Sequence, residues 1–302
     1  MINRIFWRIG QEITPDTFIQ ADKYISCQHS LIRRLIAGKY FGLIPPCAES
    51  ALTHTIRVRM DYRDVHVEQI TCCGTTESGF IVQFTKDMLA ALPHQQVSVP
   101  NTRASAYYLV LRVNPFEQIL IEPVDNNEAP EAHSAYELSI KELAQIGPDE
   151  LAILKLDCTG RSPAVDPEYI PPCISIDSYS KLLNLFDSIK TLFTEIRTII
   201  HAKKDQFGKL MYPLTLLHHE LNEFAPSSPP IALVSLIKKF ILTYQYFIPD
   251  IRKIINSDSL DKYCHNDISL IFKSLLSCLQ EIKMMVSQVE IEEEEEDFTP
   301  KI

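Results

Sequence analysis

Side chains able to do chemistry are scattered along this chain. The densest run is His218-His219-Glu220, but neighbours on a helix point about 100° apart and cannot close on one metal ion as an i, i+4 pair can. That run predicts a surface or interhelical polar patch. Cys158 and Cys173 could act as nucleophiles with His201 or His54 as base, yet a reactive thiolate needs an accessible, electropositive setting that the flanking sequence does not supply. No G-x-S-x-G elbow, H-E-x-x-H pair or Walker-type lysine motif occurs, and eight glycines in 302 residues leave little for close backbone approach to phosphate. The expectation is a protein without catalytic residues, metal or cofactor.

Composition agrees with that reading. A content of 46% hydrophobic and 23% charged residues belongs to a folded chain long enough for two domains. Eight cysteines without a C-x-x-C pair predict reduced, mostly packed thiols, and adjacent Cys72 and Cys73 should face opposite ways on a strand. Net charge is −10, and EIEEEEEDFTPKI, residues 290–302, holds seven acids against one lysine. The remainder is nearly balanced, with no basic stripe, so no nucleic-acid partner is expected. No run reaches the roughly 20 apolar residues that span a bilayer, and MINRIFWRIGQEITP turns polar too early for a secretory signal. A cytoplasmic protein without direct membrane insertion is expected.

The elements change character near residue 175. Before it, HTIRVRM (54–60), VHVEQIT (65–71), GFIVQFT (79–85), YYLVLRV (107–113), QILIEPV (118–124) and LAILKLD (151–157) read as strands between turn clusters. Most gaps are too short for a helix, which favours an antiparallel sandwich over a parallel α/β sheet. Beyond it, Leu182, Phe186, Ile189, Phe193, Ile196 and Ile200 form one apolar helical seam, and Ile268, Phe272, Leu275, Leu279, Ile282, Val286 and Val289 form another. Helical patterns at roughly 209–225 and 231–255 lie between them, with kinks or restarts expected at Pro213 and Pro249. The fold class is thus α+β: a β-sandwich over 1–175 with an early helix near 15–37, a four-helix bundle over 176–290, and an acidic disordered tail at 291–302.

The segment FWRIGQEITPDTFIQADKY, 6–24, holds the only tryptophan. Thr14 can cap, Pro15 can take the first helical position, and Asp16 suits the positive helix end. Tryptophan is a strong anchor, burying up to ~250 Å². One reading puts Trp7 and Phe18 in the sandwich core with Asp22 and Tyr24 exposed. The other puts the segment at an interface.

Trp7, Gly10, Ile13, Pro15, Phe18, Asp22 and Tyr24 resemble, at their spacing, the N-terminus of the type VI secretion system baseplate subunit TssK family. YFGLIP (40–45) is similar to the family's following aromatic-glycine-leucine step. DPEYIPPCISI (166–176), with Tyr169, Ile170, Pro171 and Pro172, is similar to its junction between β domain and helices. The family usually has histidine at the place of Thr17 and glutamine at that of Ile19, so contacts of those two are not carried over. The resemblance implies a β-sandwich shoulder, a helical neck and a homotrimer that links the TssF/TssG wedge to the membrane complex at the inner face of the inner membrane. It covers roughly 1–290 and implies a short form without the C-terminal head, leaving the neck tip, the acidic tail or an adaptor protein to meet the membrane side. The segment 6–24 would then make wedge or trimer contacts. A phage tail-fibre or receptor-binding-like module for an external ligand is the alternative.

Overall fold

The computed structural model describes residues 4–5, 8–10, 12–46, 54–92, 94–101, 104–121, 131–160, 162–248 and 262–288. Trp7, Val289, Pro249 and the segment 291–302 therefore lie outside the described residues. The chain divides into two compact units: Met1–Leu183 with Pro226–Pro230 and Cys264–Ser269, and Asn184–Ala225 with Ile231–Tyr263 and Leu270–Ile302.

The first unit holds helix α1 (Pro15–Ala37) and two antiparallel sheets. In one sheet the long strand β3 (Asp64–Thr75) is paired by β1 (Gly42–Leu43), β2 (Thr55–Asp61), β4 (Ile81–Phe84) and β5 (Gln96–Ser98). In the other the order is β7 (Glu131–Lys141), β6 (Ala106–Ile121), β8 (Glu150–Asp157) and β9 (Ala164–Val165). The sheets meet where the Phe84 and Tyr136 rings pack edge to face, with centroids 5.2 Å apart, and Gln83 N–H donates to the Tyr136 hydroxyl at 3.1 Å. β3 alternates, burying Val65, Val67, Ile70 and Cys72 while Cys73 stays half-buried. β6 over 107–111 and β8 over 150–154 are buried on both faces, and therefore read as largely apolar runs. One face of β6 and β8 carries Tyr108, Val110 and Ala152 against Tyr169.

Two strand expectations are corrected. Residues 107–113 and 118–124 were expected as separate strands, but 106–121 is one strand, β6, bulged between Asn114 and Gln118. Pro115 offers no N–H to the ladder, so the strand bulges there and resumes. The partner at that bulge, β7, carries no strand signal of its own, because EAHSAYELSIK is poor in β-branched residues. Its place comes from Ala135, Tyr136 and Leu138, which are buried.

The described helices of the second unit are α2 (Ser180–Ala202), α3 (Lys204–Asn222), α4 (Pro230–Phe247) and α5 (Ile268–Gln288), three of which begin in the first unit. Every described seam residue is at most 2% exposed: Leu182, Phe186, Ile189, Phe193, Ile196 and Ile200 on α2, and Ile268, Phe272, Leu275, Leu279, Ile282 and Val286 on α5. Phe193 of α2 meets Phe240 of α4 with ring centroids 3.8 Å apart. Glu195 of α2 pairs with Lys283 of α5 at 3.0 Å, and Glu220 of α3 with Lys239 of α4 at 2.9 Å. α3 runs through Pro213, and its break falls instead at Phe207 (φ −110°, ψ 16°). Next to it stands Gly208, and glycine weakens a helix interior.

Candidate interaction surface and the joint beneath it

Three sequence segments far apart in number meet in the first unit. Gly42 sits at φ +113°, a region that favours glycine, and a Cβ there would lie 2.1 Å from the Pro172 carbonyl oxygen. Gly74 closes the other side, since its Cβ would come 2.6 Å from the Gly42 oxygen. Leu43 N–H then donates to Pro172 O at 2.8 Å, and Ile174 N–H to Leu43 O at 2.9 Å. The motifs at 40–45 and 166–176 are thus two sides of one joint. Tyr169, Ile170, Pro171 and Pro172 are all buried in it.

The third segment is 264–269. Asp267 is fully buried and accepts hydrogen bonds from the Tyr108 hydroxyl at 2.9 Å, from Lys155 Nζ at 2.8 Å and from the Ser269 hydroxyl. Lys155 also lies 3.5 Å from Asp166. The Tyr169 hydroxyl donates to Asn266 O at 2.8 Å, and the His265 ring packs edge-on to Phe41 with its Nε2 2.6 Å from Phe41 O. Burial, then the Asp267 charge, pushes both the Tyr108 and Tyr169 phenols up, so each stays a proton donor. Burial lowers the His265 pKa, opposed by the hydrogen bond to Phe41. Each of these side chains is committed to a neighbour within the joint, which makes it a clasp and no site of reaction.

α1 is built the other way. Thr14 precedes it, its N–H donating to the Thr17 hydroxyl oxygen at 3.3 Å, and Pro15 opens it with Asp16 in the first turn. Thr17, Ala21, Tyr24, Cys27, Arg33 and Ala37 face inward and are half-buried, and Ser30 is the helix's one buried residue. Phe18 (58% exposed), Ile19, Ile25, Leu31, Ile32, Leu35 and Ile36 face outward. The small inner face allows close approach: Ser30 donates to Ser78 O, Arg33 Nη1 to Gly79 O at 3.3 Å, and a Cβ at Gly79 would come 2.5 Å from Ser30 O. Ile13 is also exposed, Asp22 is exposed, and Gly10 takes φ +81° in the turn ahead of the helix. Phe18 is therefore not in the core, which corrects one of the two readings of this segment: the inward stripe of α1 runs through Thr17, Ala21 and Tyr24, a third of a turn away. Tyr24 is half-buried where exposure was expected.

The remaining candidates for chemistry do not converge. His218 lies 3.3 Å from Arg197 Nη1 and 3.0 Å from Asn222, His219 pairs with Glu223 at 3.3 Å, and Glu220 pairs with Lys239, so the three point to three different neighbours. Burial pushes the Cys173 thiol up and also raises Cys158, the reverse of nucleophile activation. His54, at the foot of β2, has both ring nitrogens buried without hydrogen-bond partners and meets the Tyr179 ring at 5.5 Å. Burial and then the Lys181 charge bring its pKa down to about 4. His201 is exposed at the end of α2. Among the described residues no three His, Cys, Asp or Glu side chains gather as metal ligands, and no helix is long and apolar enough to cross a membrane.

No family model and no curated protein matches this chain by sequence. Solved structures do match by fold. A crystal structure of TssK aligns at TM-score 0.65 with 11% identity, covering 94% of this chain and 69% of that one. TssK-TssF-TssG, the baseplate subcomplex of the type VI secretion system, supplies a chain aligned at TM-score 0.60 with 13% identity, covering 94% of this chain and 99% of that one. A chain of the type VI baseplate complex aligns at TM-score 0.61 with 14% identity and the same two coverages. The chain has the fold of TssK, α+β with antiparallel sheets, and the similar proteins are structural components of a baseplate.

Proposed function

We propose that this chain is a non-enzymatic structural subunit of a type VI secretion baseplate, a homotrimer that holds wedge proteins of the TssF/TssG kind and links them to a membrane-side partner. The first unit acts as the shoulder. The helices α2 to α5 act as a four-helix neck, whose tip or acidic continuation meets the membrane side. The work is done in the cytoplasm, at the inner face of the inner membrane. The observation that carries this reading is the uncovered apolar face of α1, set on a fold shared with TssK. Phe18, Ile25, Ile32 and Ile36 share one exposed helix face, a surface that water does not favour, and such patches mark protein contacts. Gly10, Ile13 and Pro15 lie ahead of or at the start of that helix and Phe18 and Asp22 are exposed on it; with Trp7 and Tyr24 of the same segment they would supply the trimer or wedge contacts. Three linked copies make the second and third attachments effectively intramolecular, so modest single contacts add to a firm one.

The test is co-expression with TssF- and TssG-type wedge proteins, together with the mass of the purified chain in solution. A three-copy assembly that brings the wedge with it is expected. Phe18→Ser with Ile25→Ser should lose both while thermal unfolding stays unchanged. A monomer at micromolar concentration that captures no wedge protein would overturn the proposal.

A further inference from the structure

The first unit keeps one strained turn between its strands. Asp61 pairs with Asp64, so β2 and β3 are joined by two residues, Tyr62 and Arg63. Tyr62 takes φ +54° and is the one non-glycine residue at positive φ among the described residues. Glycine or asparagine holds that conformation at less cost than a bulky side chain does. The Tyr62 ring is 77% exposed, so packing within the chain does not offset the strain. Backbone strain that is kept clusters at sites of function. Arg63, the next residue, is half-buried. Its Nη2 donates to Pro100 O, and its Nε is buried without a hydrogen-bond partner. Among the described residues no carboxylate pairs with it: Asp64 accepts from Gln96 and Ser98 instead, and Asp157 from Thr159. A cation partly removed from water without a counter-charge favours an incoming anion.

Tyr62 and Arg63 border a cavity of about 480 Å³, lined also by Asn101, Ser105, Cys158 and Thr159. Backbone bonds fix its walls: Val99 N–H donates to Arg63 O and Cys158 N–H to Ser105 O, both at 2.8 Å. Among the described residues the lining offers guanidinium, amide and hydroxyl groups and no carboxylate. We propose that this cavity binds a carboxylate of a protein partner, an aspartate or glutamate side chain held by Arg63 while the residues beside it pack on the Tyr62 ring. One cation matches one carboxylate, whereas a phosphate group approaching two negative charges calls for more than Arg63 supplies. Tyrosine and arginine are also the side chains that dominate protein contacts. A hairpin closes at less cost with glycine at position 62, so the ring serves the contact and not the turn. No residue of α1 lines the cavity, and the inference stands apart from the baseplate reading.

Cys158 reports on the cavity from its wall. Iodoacetate carries the proposed carboxylate, and iodoacetamide is its neutral counterpart. Both alkylate a thiolate with loss of iodide, so their product ratio at one cysteine, read by peptide mass spectrometry on the full chain, cancels that thiol's own acidity and exposure. Burial and the Asp157 charge raise the Cys158 thiol while Arg63 works against both, and Asp157 alone would repel iodoacetate. The ratio of iodoacetate to iodoacetamide product should be several-fold higher at Cys158 than at the half-buried Cys27, Cys73 and Cys264, and should fall to theirs in Arg63→Gln. Acetyl-Leu-Glu-Leu-amide in millimolar excess should slow modification of Cys158 several-fold, and its glutamine analogue should not. Tyr62→Gly should weaken that protection while the thermal midpoint holds or rises, a split that a merely structural tyrosine would not give. If Arg63→Gln unfolds, the peptide pair on the unaltered chain decides. A ratio at Cys158 no higher than at the other cysteines, no reaction there with either reagent, or protection by inorganic phosphate but not by the glutamate peptide each refute the proposal.

Discussion

α1 and α2 are both 23 residues long, both carry large apolar side chains at helical spacing, and they treat those side chains oppositely. On α2 the seam from Phe186 to Ile200 is buried, with Phe186 and Phe193 meeting Phe224 and Phe240 of the same unit, while on α1 the apolar face looks outward and Ser30 is the residue that is buried. The difference lies in the second face. α2 offers polar residues to water opposite its seam, whereas α1 opposes its apolar face with Thr17, Ala21, Cys27 and Ser30, small enough for its backbone to sit against the turn at 76–79. A helix with an apolar stripe needs an apolar cover. Where a small-residue stripe takes the contact with the helix's own unit, that cover must come from elsewhere.

The sharpest way to break this contrast is a matched pair of truncations. Phe272→Ala, within the closed seam of α5, should cost about 3–5 kcal/mol in a denaturant titration, and Phe18→Ala on α1 no more than about 0.5 kcal/mol. A comparable loss at both positions would mean that α1 is covered within a single copy. Nearly as large is the effect expected at the clasp. Lys155→Met leaves the Asp267 charge without its cation and should cost roughly 3–5 kcal/mol, partly moderated by the Tyr108 and Ser269 hydroxyls that still donate to Asp267.

Next comes His54. Its folded pKa of about 4 lies below the ordinary 6.5, so the unfolded chain takes the proton first. Its neutral form supports the fold fully above pH 6.5, and that support drains as pH falls towards 4, by about 3 kcal/mol in all. His54→Phe should flatten stability over that window, seen as a midpoint that no longer shifts with pH. Smallest in stability and largest in assembly is Leu35→Ser with Ile36→Ser, expected to leave the unfolding midpoint within a degree or so of the unaltered chain, since exposed substitutions change stability by only about 0.5 kcal/mol.

The closed regions were the most legible. The 4-3 spacing from Leu182 to Ile200 and from Ile268 to Val286 states which face of each helix is apolar, and burial obeys it. Apolar runs such as YYLVLRV state burial on both faces equally well. What resisted reading was set by partners instead of local pattern. β7 is weak in β-forming residues and is held by its register with β6, and the bulge at Pro115 looks in sequence like a turn. The inward turn of Ser30 left no mark except an unusually polar stripe opposite Phe18, Ile25 and Ile32. The clasp was also hidden, because Lys155, Asp166 and Asp267 are ordinary surface residue types until the fold brings them together.

The first unit includes Cys264–Ser269, contributed from far along the chain. A ribosome has released most of the polypeptide before Asp267 can reach Lys155, so the β unit is synthesised early yet completed late. Fragments ending before residue 264 leave the Lys155 ammonium, the Tyr108 phenol and the Tyr169 phenol without their Asp267 and Asn266 acceptors. This front unit is therefore poorly suited to being excised, fused or swapped as an independent cassette, and proteases should find such fragments easily.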